Sequence, residues 1–204
     1  MSPPSRSGLY ALKPWYTRRL GRAIQWAVRR RLSPDLFTYL GLTCAFAAGV
    51  AIFFGWWPMA ALALAGRLAG ANLDGAVARA RSVSRPWGFA LNEVGDRASD
   101  LAMVAGLAGL AVREPSCLGG IASLTWVLAA GLAATLPTFA SLAVAGAGGP
   151  RANGGPVGKT ERCLLAVVAA GVPSWIPALS AIVLGGSLVT SVLRLVAGHR
   201  VLGR

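Results

Sequence analysis

Long apolar runs separated by short polar stretches dominate this chain. Runs near or above the roughly 20 residues that cross a bilayer as a helix occupy Leu36–Trp56, Pro58–Ala80, Trp87–Val112 and Leu118–Val144. A fifth run, Cys163–Ala197, is longer and contains prolines at 173 and 177, which interrupt helices, so it divides into two. The pattern therefore predicts an all-α membrane protein with six transmembrane helices in residues 34–199.

A different periodicity precedes the first run. Within Lys13–Leu32, apolar side chains recur at three- and four-residue steps, and most of the arginines lie off that stripe. This predicts an amphipathic helix lying on the membrane surface within a basic segment, residues 1–33. A solvated basic tail is the alternative, but Trp15 and Trp26 favour the surface because aromatic rings prefer the membrane interface.

The distribution of charge predicts an orientation. The chain has 20 Lys and Arg against 7 Asp and Glu, a net charge of +13. Eight of the basic residues precede Pro34, others border the second and fourth connections, and residues 200–204 form a basic tail. The positive-inside rule then places both termini in the cytoplasm. Because these charges border apolar runs and do not form a soluble module, nucleic-acid binding is disfavoured.

A few ionisable residues lie inside the predicted spans, where charge is costly and usually functional. Asp74 on the second span and Asn92 with Asp96 on the third recur at helical spacing, so each set shares a face. Oxygen ligands of this kind suit Mg²⁺ or Mn²⁺ bound to phosphates. Arg67 and Asp100 lie further into the same two spans. We expect them to form an ion pair; Asp100 as a metal ligand is the alternative.

These residues carry a resemblance to a known family. The pattern D-x-x-D-G-x-x-A-R, eight residues, then G-x-x-x-D-x-x-x-D is typical of the CDP-alcohol phosphatidyltransferases. The chain is similar to it at six positions: Asp74, Gly75, Ala78, Arg79, Gly88 and Asp96. The resemblance extends to the six-helix layout and to the amphipathic segment before Ser33-Pro34-Asp35.

The resemblance implies a reaction. A phosphatidyl group passes from CDP-diacylglycerol, or a similar CDP-lipid, to a small alcohol that is phosphorylated in some members, and CMP is released. It implies that Asp74, Asn92 and Asp96 hold Mg²⁺ or Mn²⁺ and that Asp96 is the catalytic base. It also implies a homodimer in the bacterial cytoplasmic membrane, with the active site facing the cytoplasm. The resemblance further implies that the nucleotide is bound at Gly75, Ala78, Arg79 and Gly88.

Two positions depart from the family pattern. Ala71 stands where the first Asp is usual, and Asn92 stands where the third is usual, so a site for two metals lacks charge. Three remedies remain open: a neighbouring Asn72 or Glu93 turns in, Asp96 and Asp100 form the ligand pair, or a single metal suffices. The alternative function is a catalytically degenerate relative that binds nucleotide-lipid or serves as a membrane assembly partner.

Basic residues near the end of the chain are candidates for binding a phosphorylated acceptor, since guanidinium and ammonium groups pair with phosphate. The alternative is that the positive-inside rule alone explains them. The single histidine, His199, and the widely spaced cysteines indicate neither a catalytic triad nor a zinc site. The candidate acceptor residues are Arg151, Lys159, Arg162 and Arg194.

Overall fold

The computed structural model describes residues 13–114, 120–152 and 154–203. Within these ranges the chain is helical and contains no β-strand, so the all-α prediction is confirmed. A short 3₁₀ helix, Pro173–Trp175, precedes the last α-helix. The α-helices are α1 Lys13–Arg19, α2 Gly21–Arg29, α3 Pro34–Phe53, α4 Trp57–Ala80, α5 Pro86–Arg113, α6 Gly120–Ala133, α7 Leu136–Gly146, α8 Lys159–Gly171 and α9 Ile176–Leu202.

The chain divides into two compact units, Leu12–Leu110 and Ala111–Arg204, here called the N-terminal and C-terminal units. In the N-terminal unit, α3 packs along α4 through two glycines. A Cβ atom at Gly70 would lie 2.6 Å from the Phe37 carbonyl oxygen and 2.7 Å from Gly41 Cα. A Cβ at Gly106 of α5 would lie 2.3 Å from the Gly49 carbonyl oxygen. Small residues thus bring α3 into backbone contact with both neighbours.

The amphipathic segment before α3 is two helices and not the single helix predicted, because the chain turns at Leu20. On the inner side, Ala27 is fully buried in a cluster with Phe37, Leu73 and Val77. On the outer side, Trp15 and Trp26 are about half exposed, 51% and 55%. One face therefore packs on α3 and α4, and the other is left for a different environment.

In the C-terminal unit, α9 packs against α6, α7 and α8. The predicted span Leu118–Val144 is divided into α6 and α7 just before Pro137, which has no N–H to bond the carbonyl four residues earlier. Residues 115–119, where that span was predicted to begin, lie outside the described residues. The predicted division of the last run is found at Pro173, between α8 and α9.

The glycine-rich connection between α7 and α8 is held by side chains. Ser141 Oγ donates to the Ala152 carbonyl at 2.6 Å, and the Val157 N–H donates to Thr190 Oγ1 at 3.3 Å. Gly155 has φ +126 and a Cβ there would lie 2.3 Å from Thr190 Cγ2, so this position requires glycine twice over. The described residues of the connection are therefore fastened to α7 and α9.

Three stretches of the described chain are long and apolar enough to cross a membrane: Pro34–Phe53, Ala122–Gly146 and Pro173–Leu202. The helices α4 and α5 are not among these three stretches, because they contain more charged residues. With 13 residues, α8 is about 20 Å long, shorter than the roughly 30 Å hydrocarbon core. Six spans and cytoplasmic termini remain predictions.

The contact between α3 and α4 predicts the effect of a single methyl group. Gly70→Ala places its Cβ against the backbone of α3, and backbone cannot yield as a flexible side chain does. We expect the free energy of unfolding in detergent to fall by about 1–3 kcal/mol. Gly185→Ala is the matched control in α9, since nothing lies within 4 Å of its Cβ position. This control should raise the helix stability by up to about 1 kcal/mol. Equal losses of unfolding free energy in the two variants would contradict the close contact at Gly70.

Candidate active site

Residues of the sequence motif converge on one pocket of the N-terminal unit. The pocket has a volume of about 250 Å³ and lies where α3 begins, α4 ends and α5 begins. The motif residues that line it come from α4 and α5, so residues spaced along the sequence form one surface. They are Asp74, Gly75, Ala78, Arg79, Gly88 and Asn92, and the other polar lining residues are Asp35, Thr38, Ser84 and Arg85.

Asp74 is a carboxylate of the pocket that is held in one direction by two hydrogen bonds. It is buried, with 7% exposure, and its Oδ2 accepts a hydrogen bond from Thr38 Oγ1 at 3.0 Å. Its Oδ1 accepts a bond from the Gly75 N–H. These two bonds fix the direction of the carboxylate. Thr38 was not predicted as a site residue.

Gly75 leaves room for the side chain of Arg79. A Cβ atom at position 75 would lie 3.1 Å from Arg79 Nη1, closer than ordinary contact. The guanidinium of Arg79 is thereby folded back along its own helix, one turn from its Cα. No side chain projects from α4 at Gly75, and the guanidinium of Arg79 lies there beside Asp74. This arrangement suits an anionic ligand.

A second, much smaller cavity joins the same helices. Its volume is about 10 Å³, and it is lined by Arg67, Ala71, Asp74, Asn92 and Asp96 together with Thr38, Gly41, Leu42, Gly95 and Ser99. The three residues predicted as metal ligands, Asp74, Asn92 and Asp96, therefore share one cavity. Among the described residues, no group of three or more His, Cys, Asp or Glu side chains is placed to hold a metal.

The structure brings Arg67 and Asp100 together. Arg67 Nη2 donates to Asp100 Oδ1 at 2.6 Å, and Arg67 is 1% exposed. Asp100 has a second partner that was not predicted from the sequence. Arg97 Nη2 lies 2.9 Å from Asp100 Oδ2. Asp100 thus accepts from one guanidinium on each oxygen. Its three-residue spacing from Arg97 is the signal that would have found this pair.

Two arginines of the turn between α4 and α5 contact the chain around the start of α3. Arg85 forms an ion pair with Asp35, and Arg81 donates to the Leu32 carbonyl. The Asp35 and Arg85 side chains are 21% and 53% exposed, so the ion pair lies at the open side of the large pocket. The ion pair between Arg85 and Asp35 was not predicted from the sequence.

The candidate acceptor residues belong to the C-terminal unit. The guanidinium of Arg194 donates to backbone carbonyls: Nε and Nη2 to Gly154 O at 3.1 and 2.9 Å, and Nη1 to Pro137 O at 2.7 Å. Arg194 therefore fastens the glycine-rich connection to α7 and α9. Arg162 is buried, with 6% exposure, while Arg151 and Lys159 are half-buried.

Comparison with known proteins gives a matching family and similar folds. Residues 31–193 match the profile of the family described as CDP-alcohol phosphatidyltransferase. A comparison with curated proteins gave no significant match.

Solved structures of phosphatidylinositol phosphate synthase from Mycobacterium tuberculosis are similar in fold. The structure with manganese and citrate has 26% identity and a TM-score of 0.73, covering 89% of this chain and 90% of its own. The structure with CDP-DAG bound has 24% identity and a TM-score of 0.74, covering 89% and 94%. The apo form has 23% identity and a TM-score of 0.66, covering 88% and 93%.

The paired arginines predict unequal losses on neutralising the buried ion pair. Asp100→Asn leaves two guanidiniums facing a neutral amide, and we expect a loss of about 3–5 kcal/mol in unfolding free energy. Arg67→Met leaves Asp100 its bond to Arg97, so the loss should be smaller. The double variant should lose less than the sum of the two. Thermal unfolding in detergent measures all three; a larger loss for Arg67→Met would contradict the shared carboxylate.

Proposed function

Because the chain belongs to the CDP-alcohol phosphatidyltransferase family, we propose that it transfers a phosphatidyl group from CDP-diacylglycerol to a small alcohol and releases CMP. The observation that carries this proposal is the single pocket lined by the motif residues of α4 and α5. Its volume of about 250 Å³ is near the lower bound of about 300 Å³ typical of small-ligand sites. A relative of similar fold has CDP-DAG bound.

The proposed reaction forms one phosphorus–oxygen bond and breaks another. The acceptor oxygen attacks the phosphorus that carries the diacylglycerol, the bond from that phosphorus to the bridging oxygen breaks, and CMP leaves. Asp96 takes the acceptor proton as general base. Arg79, beside Asp74, and Arg85 supply positive charge for the pyrophosphate and the departing CMP.

The residues present fit one divalent cation. Carboxylates from Asp74 and Asp96, the amide oxygen of Asn92 and the hydroxyl of Thr38 all line the small cavity, and hard cations such as Mg²⁺ and Mn²⁺ take oxygen ligands of these types. A bound cation would neutralise charge on the pyrophosphate. The relative solved with manganese supports divalent-metal use.

The proposed setting is a bacterial cytoplasmic membrane, with six spans and with the pocket opening toward the cytoplasm. Integral membrane location is supported by three long apolar stretches and by the family. The basic residues of α1 and α2 and of the turn that borders the pocket support the cytoplasmic orientation. A homodimer is proposed on the same family grounds.

A second function is favoured by one observation. Ala71 and Asn92 remove two carboxylates from the motif, while Gly75, Ala78, Arg79 and Gly88 remain around the large pocket. A chain that keeps the nucleotide-lipid pocket but lacks turnover would serve as a binding or assembly partner in the membrane.

The deciding measurement is CMP release. Purified protein given CDP-diacylglycerol, Mn²⁺ and one of glycerol 3-phosphate, inositol phosphate, inositol or serine should release CMP with at least one acceptor. Asp96→Asn should lower that rate by about 10²–10⁴-fold, the usual contribution of a general base, while CDP-lipid still binds. Glu114→Gln is the control, because this carboxylate follows the end of α5 and lines neither cavity. Binding without CMP release for every acceptor would favour the second function.

Basic residues of the C-terminal unit are proposed to bind the phosphate of a phosphorylated acceptor. Arg151→Met should then raise the acceptor KM about 10- to 100-fold, the value of a charge-assisted hydrogen bond, and leave the CDP-lipid KM unchanged. Arg194→Met should lower the thermal stability instead, because its guanidinium holds backbone carbonyls. Arg200→Met, at an exposed basic position, is the control. An unchanged acceptor KM for Arg151→Met would exclude Arg151 from the site.

A further inference from the structure

The small cavity differs in charge from a centre built for two metals. We propose that this chain binds one divalent cation, and that the guanidinium of Arg67 supplies the fixed positive charge that a second cation would otherwise bring. The inference rests on the proposed function, because it concerns the metal centre of the same site. It explains Ala71, Asn92 and Arg67 together.

The lining of the cavity contains two carboxylates, those of Asp74 and Asp96, and one guanidinium, that of Arg67. Its formal charge is therefore −1. One divalent cation brings the sum to +1, which suits an anionic pyrophosphate. Two would bring it to +3 inside a bundle of largely apolar helices, where uncompensated charge is costly.

The positive charge of Arg67 is permanent and held in place. A guanidinium does not deprotonate in proteins. Arg67 is 1% exposed, bonds Asp100 at 2.6 Å, and has Nη2 3.4 Å from the carbonyl oxygen of Asp96. It also precedes Ala71 by four residues, which places both on one face of α4. The missing carboxylate and the buried cation are thus neighbours on one helix.

The ligands on the cavity wall agree with this count. The methyl of Ala71 brings no ligand oxygen to that wall. Thr38 and Asn92 add neutral oxygens beside the carboxylates. The donor set is therefore enough for one small hard cation whose remaining positions are filled by water or phosphate oxygen.

Counting bound Mn²⁺ by electron paramagnetic resonance tests the number directly, using the intact protein in detergent and Mn²⁺ alone. We expect saturation at one ion per chain. Ala71→Asp combined with Asn92→Asp should raise saturation to two ions. Saturation of the unaltered protein at two, or no binding at all, would overturn the inference, as would a restored variant that still binds one.

The role of Arg67 has its own matched control. Arg67→Met removes a like charge from the cavity wall and should tighten Mn²⁺ binding at least about tenfold, whereas Arg67→Lys should keep the original affinity. Arg97→Met removes the other partner of Asp100, but Arg97 does not line the cavity. The Kd of this variant for Mn²⁺ should therefore stay within about twofold of the unaltered protein's. Equal effects of Arg67→Met and Arg97→Met would overturn the role of Arg67.

If Arg67→Met does not fold, the double restoration of Ala71 and Asn92 still decides the number of ions. The readout is also separate from catalysis. A chain that binds one Mn²⁺ but releases no CMP with any acceptor would reject the proposed function and leave the single-cation centre standing. A chain that releases CMP while binding two ions would reject the single-cation centre and leave the proposed function standing.

Discussion

The ion pair between Arg67 of α4 and Asp100 of α5 fixes the register of the two helices that carry the site. Separating a buried pair costs several kcal/mol because each charge is left in a poorly polarisable surrounding. Asp74 follows Arg67 by seven residues, about 10 Å, and Asp96 precedes Asp100 by four, about 6 Å. A shift of α5 by one turn would break the ion pair and move Asp96 away from Asp74. The bond at 2.6 Å therefore keeps both carboxylates on one cavity.

Glycine contacts complete the arrangement from the side of α3. Backbone contact at Gly41 and Gly70, and again at Gly49 and Gly106, brings α3 close enough for Thr38 to reach Asp74. A helix held away by ordinary side chains could not place a short hydroxyl there. The site thus depends on two independent features. An ion pair fixes α4 against α5, and glycines allow α3 to pack closely against both helices.

Much of this was predictable from sequence, for identifiable reasons. Motif spacing placed Asp74 and Asp96 on facing helices, and the cost of intramembrane charge gave Arg67 a partner. Other contacts were not predictable. A threonine in an apolar helix commonly bonds the carbonyl four residues earlier, as Thr43 does to Tyr39 at 3.0 Å; nothing local marks Thr38 as different. The bonds of Arg194 to distant carbonyls depend on tertiary geometry that a single sequence does not record.

Charge balance links the departures from the family pattern. In a centre with all four carboxylates of the family pattern, two divalent cations bring the total charge to zero. Such a centre would bind pyrophosphate through open coordination positions on the metals. In the proposed single-cation centre, two carboxylates, one guanidinium and one divalent cation sum to +1. Arg79 of the adjoining pocket adds to this charge, whereas Arg85 is balanced by Asp35. An anion is then attracted by net charge as well as by coordination. Under the proposed arrangement, the loss of carboxylates beside Arg67 would shift ligand binding from the metal toward the protein, and the motif-lined pocket would keep its positive charge even where metal affinity falls.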